Sequence, residues 1–567
     1  MQVNVRHQER PNNGSGRVRN TRRFAPSLLL LWACAALAEQ PGRNANRNGA
    51  FVRVFPAPAG IAASEDWRLE VEGRPVFCYR DYRLNTDCPP SLFRMKVSPQ
   101  AYAIFDFEGK VKVRATFRTG TLADTAPETA GMEPGPPGTG SLLPCPSLGG
   151  TRSTASEACR TTPDTASDLK NLKIRPLAFG ICPRIKGSAV EFELDRPQDL
   201  TIDPDGTGLR VLHLFTNPPE TDIPDKDDPN VVYFGPGVHD IGELQLESGH
   251  TLYLAGGAVL RPFAKHLRKS EKEKHYTGLE YERGIIPIRA RGDDVTVRGR
   301  GIISGERGLP AGRRFGLFQG SRMKRLRIEG VVFTRSTGWT VLLHACRDSI
   351  IKRTRVLGYF TNADGFCLHS CHDCRVMDSF IHTADDCYEV KSHGSGIVFE
   401  KSQAWCDAGT SMGVCHEIDG LMTNVVWRNM TVLHYTYRVN RYEGITSRGA
   451  IFVHPAMGGT VRDIRFENIT VENCSTERPL ILVYNVKKPK KGIHFFPDKP
   501  FSRISGVVFE KIRADNVPKA QILIMDQSGE GMVKDIAFKD VVINGRRLVE
   551  SDPRLTLKGS AGGVRVE

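Results

Sequence analysis

The sequence lacks an apolar run long enough to cross a bilayer as a helix, which takes roughly 18 residues or more, so a polytopic membrane protein is excluded. It has only 5 Trp and 8% aromatic residues, but it lacks the compositional bias of collagenous or wholly disordered chains. No motif for nucleic-acid binding is present. Lys and Arg (78) exceed Asp and Glu (64) by +14, yet Met1–Ala38 hold six Arg and one acid, which leaves +9 on the remainder. That excess permits an acidic partner without demanding one. What remains is a chain of 567 residues, 40% hydrophobic and 25% charged, with length for two or more domains and a large core.

Arg22-Arg23 precede the apolar run Leu28–Ala38, which is short and ends in small residues as a signal-peptidase site does. The reading is a signal peptide over 1–38, export to a secreted or periplasmic location, and no stable membrane insertion of the mature chain. Thr21-Arg22-Arg23-Phe24 is similar to a twin-arginine signal. Fourteen Cys are too few for a disulfide scaffold at this length, although seven crowd between Cys346 and Cys415. Cys367, Cys371, Cys374 and Cys387 lack the paired spacing of a zinc site, so they are read as small residues filling a stacked interior, with one or two bridges. Cys78 and Cys88 flank a short polar turn and are placed to pair in an oxidising compartment.

A short phrase recurs from about Val295 onward: a small or polar residue, then alternating apolar residues. Examples are Asp294-Val295-Thr296-Val297, Asp373-Cys374-Arg375-Val376, Asp463-Ile464-Arg465-Phe466 and Asp535-Ile536-Ala537-Phe538, with Ser349-Ile350-Ile351-Lys352 as a degraded copy. The first apolar member falls at 295, 326, 350, 374, 397, 425, 464, 507 and 536, so the central steps, from 326 through 350 and 374 to 397, are nearly equal. A near-constant period of this size marks a solenoid, whose units bury their apolar faces only by stacking. Period-two alternation of β-branched and aromatic residues makes the units strands rather than helices. The expected fold is therefore all-β, a parallel β-helix over 230–548, and the longer steps are loops walling a groove. A smaller β-sandwich is expected over 51–217, with a disordered insertion at about 119–167, rich in Gly, Pro, Ser and Thr. Pro218–Pro229 reads as a linker and 549–567 as a C-terminal tail.

Asp364 precedes Asp385 by close to one coil, and Asp386 follows directly. Parallel strands stack about 4.8 Å apart, so these three side chains should cluster on one face. Like charges held together raise the pKa of at least one member, which gives one acid and one base, the equipment of glycosidic-bond hydrolysis. Asp and Asn also end strands and cap turns, as at Asp373 and Asp463; three at one-coil spacing go beyond that.

Asn362-Ala363-Asp364-Gly365 and His382-Thr383-Ala384-Asp385-Asp386-Cys387 resemble the N-T-D-G and G-D-D-C motifs of the polygalacturonases, glycoside hydrolase family 28. Tyr233–Gly237, Leu252–Ala258 and Gly299–Gly305 are similar to that family's early coils. The resemblance implies a right-handed β-helix and an inverting hydrolase that cleaves a polysaccharide without metal or other cofactor. It assigns Asp385 as general acid and Asp364 with Asp386 as the groups that activate water. Two departures stand out. No His occupies Asp407–Thr410, where the family has G-H-G, and Arg438-Val439-Asn440 lacks the Lys of its R-I-K motif. The dextranase and isopullulanase family, glycoside hydrolase family 49, also joins a β-sandwich to a β-helix with three Asp, which keeps neutral glucans in view.

Tyr437 and Arg438 are expected on the substrate wall, and His393, His416 and Glu417 on neighbouring loops as subsite residues. Trp339 and Tyr442 are candidates for stacking on sugars or for core. Asn429, Asn468 and Asn473 begin N-x-S/T glycosylation patterns. The expected partner is a polysaccharide, not nucleic acid, and the expected state is a monomer.

Overall fold

The computed structural model describes residues 49–84, 97–118, 169–263, 286–307, 315–360, 362–436, 448–474, 479–486, 499–517 and 521–567. Residues 1–38, read as a signal peptide, Cys88, the whole of the 119–167 insertion, Tyr437, Arg438, Asn440 and Tyr442 lie outside the described residues.

The first part is a sandwich of two sheets. A six-stranded sheet contains Phe51–Val54, Cys78–Leu84, Val97–Glu108, Lys173–Arg175, Leu200–Asp203 and Leu212–Asn217; a five-stranded antiparallel sheet contains Trp67–Val71, Arg74–Val76, Val111–Phe117, Arg184–Lys186 and Ala189–Leu194. Alternation makes each facing surface apolar, as in Trp67–Val71 with Trp67, Leu69 and Val71 buried and Arg68 and Glu70 exposed. Their common core holds Trp67, Phe105, Phe107, Val113, Leu212 and Leu214.

The second part, from Val231 onward, is a right-handed parallel β-helix. Its walls are a twenty-one-stranded and an eleven-stranded sheet, parallel apart from one antiparallel pairing near the C-terminus. The coils return to register close to the expected spacing: Ile350 pairs with Arg375, one residue beyond the Cys374 that the reading matched to it, and Arg375 pairs with Val398. Residues 549–567 are more than a tail. Leu555–Gly559 and Val564–Val566 add the last strands of the two walls.

The repeated phrase has a backbone cause. Its leading small or polar residue is a left-handed corner: Asp294, Asp373, Asn424, Asp463 and Asp535 have φ of 63°, 52°, 51°, 54° and 55°. Asn, Asp and Gly enter this region at least cost, which is why they recur there. In the degraded copy the corner is Asp348, φ 50°, one residue ahead of Ser349. The apolar residues behind each corner point inward and stack rung on rung. Phe399, Trp427, Phe466, Phe509 and Phe538 form a continuous aromatic column, with ring centroids 5.2, 4.8, 5.1 and 5.0 Å apart and nearly parallel planes.

Cys346, Cys371, Cys374, Cys387, Cys406 and Cys474 fill that interior, as their reading as small core residues expects. Among the described residues no bridge forms: all ten cysteines there are free thiols, Cys78 included. Cys367 faces outward against Trp339 and Leu342, apart from the interior cysteines.

The sandwich lies along one flank of the β-helix. Tyr79, Tyr102, Ile104 and Phe215 pack on Val259, Ile302, Val332, Leu357, Phe380 and Trp405. Buried ion pairs cross the same junction: Arg355 Nη2 to Asp199 Oδ1 at 2.8 Å, Arg300 Nε to Asp106 Oδ1 at 2.8 Å and Arg83 Nη2 to Asp407 Oδ1 at 2.6 Å.

Candidate active site

The eleven-stranded sheet carries the candidate site at the N-terminal ends of Phe366–His369 and Tyr388–Lys391. Phe366 pairs with Tyr388, and the ladder runs on as Gly365 N–H donates to the Asp386 carbonyl at 2.8 Å. The matched pair is therefore Asp364 with Asp386, and Asp385 sits one place ahead. The spacing argument paired Asp364 with Asp385; the register differs by one because the coil is one residue longer here. One oxygen of each of the three carboxylates lies within 4.8 Å of the others.

Glycine is required beside them. At Gly409, on the next coil, an added Cβ would stand 2.3 Å from the Asp385 carbonyl carbon and 2.4 Å from Asp386 N. That close approach lets Thr410 N–H donate to Asp386 Oδ1 at 2.9 Å. The stretch 407–410 that lacks the family's His is thus still in contact with the aspartates through its backbone.

The three carboxyls differ in surroundings. The Asp385 side chain is 21% exposed, whereas Asp386 is 2%. Asp385 accepts Asn362 N–H at 2.9 Å on Oδ2 and the Asp386 N–H at 3.1 Å on Oδ1. Asp386 has the stronger support as an anion, with the Thr410 bond and Arg448 Nε at 3.3 Å from Oδ1; Arg448 Nη2 also reaches Asp385 at 3.9 Å. Asp364 is buried, and its Oδ1 accepts no hydrogen bond among the described residues. Burial pushes all three above the ordinary carboxylate range, Asp364 furthest, with the Asp385 charge adding to it. Asp386 is pushed up to about 6 by burial, against the pull of Arg448.

Glu417 and His416, expected near a subsite, are brought to this cluster but buried. Glu417 Oε2 accepts from Lys391 Nζ at 2.8 Å. His416 contacts Arg448 through Nε2, and its Nδ1 is 2.9 Å from His454 Nδ1. His393 remains on the rim, half exposed, with Nδ1 3.8 Å from Asp419 Oδ1. Trp339 is buried beneath Lys391, whose Nζ lies 4.8 Å from its ring centroid. Asn429 and Asn468 are exposed left-handed corners joined by a 2.7 Å hydrogen bond, and Asn473 Nδ2 lies 2.8 Å from His434 Nδ1.

Sequence reasoning missed Glu389, Lys391 and Arg448. The first two had a signal, because they flank inward-facing Val390 and so share the outer face next to the aspartates. Arg448 had none; it arrives from a segment remote in sequence. The donor atoms of Asp386, Glu389 and Cys415 also lie within 4.8 Å of one another. Either acidic group has space for a cation, but Arg448 and Lys391 already supply positive charge to them. The arrangement sets a partly exposed carboxyl beside a more deeply buried one that faces Arg448, and unequal carboxyls of this kind are what acid–base hydrolysis uses.

Residues 317–553 match the family model described as glycosyl hydrolases family 28. A "Probable exopolygalacturonase B" of Neosartorya fischeri is 23% identical over 320 residues, 51% of this chain and 67% of that protein. A "Probable endopolygalacturonase D" of the same organism is 30% identical over 192 residues, 32% of this chain and 36% of its own length. Among solved structures, Dex49A from Penicillium minioluteum superposes with a TM-score of 0.58 at 12% identity, covering 91% of this chain and 96% of that one, which shows a shared fold. The chain is a polygalacturonase-like glycoside hydrolase whose resemblance to family 28 runs from 317 to 553.

Proposed function

We propose that the protein is an exported hydrolase that cleaves the O-glycosidic bonds of a polysaccharide with inversion, and that Asp364, Asp385 and Asp386 perform the chemistry. The supporting observation is the meeting of the three carboxyls at the N-terminal ends of two adjacent strands in the middle of the eleven-stranded sheet, in unequal surroundings. Asp385, the most exposed and raised by burial, donates its proton to the leaving oxygen. Asp386, held as an anion by Arg448 and Thr410, orients and deprotonates the attacking water together with Asp364. Tyr437, Arg438 and His393 are proposed as substrate contacts, and no cofactor enters the reaction.

The spacing bears on stereochemistry. Inverting pairs stand about 6.5–9.5 Å apart, with water between them, and retaining pairs about 5–5.5 Å. The facing oxygens here are within 4.8 Å, so an inverting reaction places the water in front of Asp364 and Asp386, on the substrate side. The close approach also favours a second reading, in which Asp386 attacks the sugar directly and configuration is retained.

The sugar has two candidates. The relatives are named for polygalacturonan. Against that, Lys391 is engaged by Glu389 and Glu417, and Arg448 by Asp385 and Asp386, which suits a neutral sugar at the cleaved bond. Incubation with a panel of acidic and neutral polysaccharides, followed by assay of new reducing ends, separates them. Asp385→Asn should lower kcat by about 10²–10⁴ while glycan binding persists. Binding without turnover by the wild type would leave a non-catalytic carbohydrate-binding solenoid.

A further inference from the structure

Glu389 is fully buried, projects from the outer face of Tyr388–Lys391, and has no part in the roles assigned above. In register it lies between Cys367 on the preceding rung and Gly413 on the next. Neither neighbour brings a cation to it, and its carboxylate lies beside Asp386 and Cys415, all three donor atoms being within 4.8 Å of one another. Its own rung supplies Lys391, whose Nζ is 2.9 Å from Glu389 Oε2 but is shared with Glu417 at 2.8 Å. Beyond that ion pair neither Glu389 oxygen accepts a hydrogen bond from a fixed donor among the described residues.

The charges that face this carboxylate can be set against each other. Asp364 comes from the preceding rung, Asp385 and Asp386 from the start of its own strand, and Glu417 from beyond the next strand; the cations are Lys391 and Arg448, and the neutral titratable neighbours are the Cys367 and Cys415 thiols. Five acids thus share two cations in a largely buried place, with Asp385 the most exposed of the three aspartates. Unpaired buried charge is strongly unfavourable, and a carboxylate held beside another favours the protonated form of its neighbour.

We propose that Glu389 is a positioning residue of this cluster: its buried negative charge faces Asp386, keeps the Asp386 proton bound to higher pH, and so fixes the pH range in which Asp386 acts as a base. The step is a proton equilibrium alone: one proton bound by Asp386 is released to solvent as the pH rises, and Asp386 is left ionised against Arg448. The inference rests on the hydrolase reading and sharpens it. Burial and the Glu389 charge both raise Asp386.

Two measurements test it. In Glu389→Gln an amide can still donate to Asp386 but the negative charge is gone, so the acid limb of kcat/KM should move to lower pH by at least about one unit. Without substrate, potentiometric titration of the folded variant between roughly pH 7.5 and 5 should take up about one proton fewer than the wild type. An unchanged limb or an unchanged proton count overturns the proposal. Activity lost in Asp385→Asn but a pH profile unmoved in Glu389→Gln would refute Glu389 alone. If Asp385→Asn stays fully active, the hydrolase roles fail, and the titration still decides whether the Glu389 charge holds the Asp386 proton. Glu389→Ser repeats both measurements if the Gln variant does not fold.

Discussion

Arg448 is the residue on which the asymmetry of the three aspartates turns. It stands 3.3 Å from Asp386 and 3.9 Å from Asp385, and its charge pulls both carboxyls down against the upward push of burial. In Arg448→Gln that pull disappears, both carboxyls hold their protons to higher pH, and the base is ionised over a narrower range. The acid limb of kcat/KM should therefore shift upward by about one unit or more, opposite in sign to the Glu389→Gln shift. A pH–rate profile of each variant checks the pair of signs. The motif residues Asp364, Asp385 and Asp386 were legible in the sequence because one coil of chain separates them. Arg448 was not, since nothing in a linear pattern says that a residue so far along the chain will fold back over Asp386.

At the scale of the strand and the coil, legibility followed the backbone. The phrase that begins with Asp, Asn or Gly could be read because the left-handed corner restricts residue choice and the inward positions restrict polarity. The one-residue error in matching Asp364 to Asp385 has the same origin. A periodicity averages over coils, and hydrogen bonds such as Gly365 N–H to the Asp386 carbonyl fix the register of one particular coil. Among the described residues the expected bridges are missing for a related reason: most of the crowded cysteines occupy interior positions as small apolar residues, which crowding in sequence does not distinguish from pairing. The aromatic column makes a direct test of stacking. Trp427 lies between Phe399 and Phe466, with its Nε1 donating to the Tyr388 carbonyl at 3.3 Å. Trp427→Ala should cost about 3–5 kcal/mol, measured as a shift of the denaturant midpoint at constant slope. Because Tyr388 opens the strand that bears Glu389 and Lys391, activity should fall with stability.

Across the whole molecule, the sandwich braces the flank of the β-helix with an apolar seam and buried charge pairs. Arg355 illustrates the energetics: Asp199 receives it through two bonds of 2.9 and 2.8 Å, and both are almost inaccessible. Asp199→Ala leaves the guanidinium short of its counter-charge and should cost about 3–5 kcal/mol, whereas the double replacement Asp199→Leu with Arg355→Met should recover most of that loss. Chemical unfolding of the two variants checks both figures. Arg83 reaches from the sandwich to Asp407, which also accepts from Trp405 Nε1 at 3.2 Å and lies 3.2 Å from His382 Nε2, just before the Gly409–Thr410 turn that touches the aspartates. The sandwich is thereby connected to the reacting groups through a chain of buried contacts that no sequence spacing discloses. The central claim, that this cluster protonates one side of a glycosidic bond while water enters from the other, is tested most directly by following the first-formed product by nuclear magnetic resonance before mutarotation. The account predicts the anomer opposite to that of the substrate linkage; a product with retained configuration would contradict it and transfer the chemistry to a covalent intermediate on an aspartate.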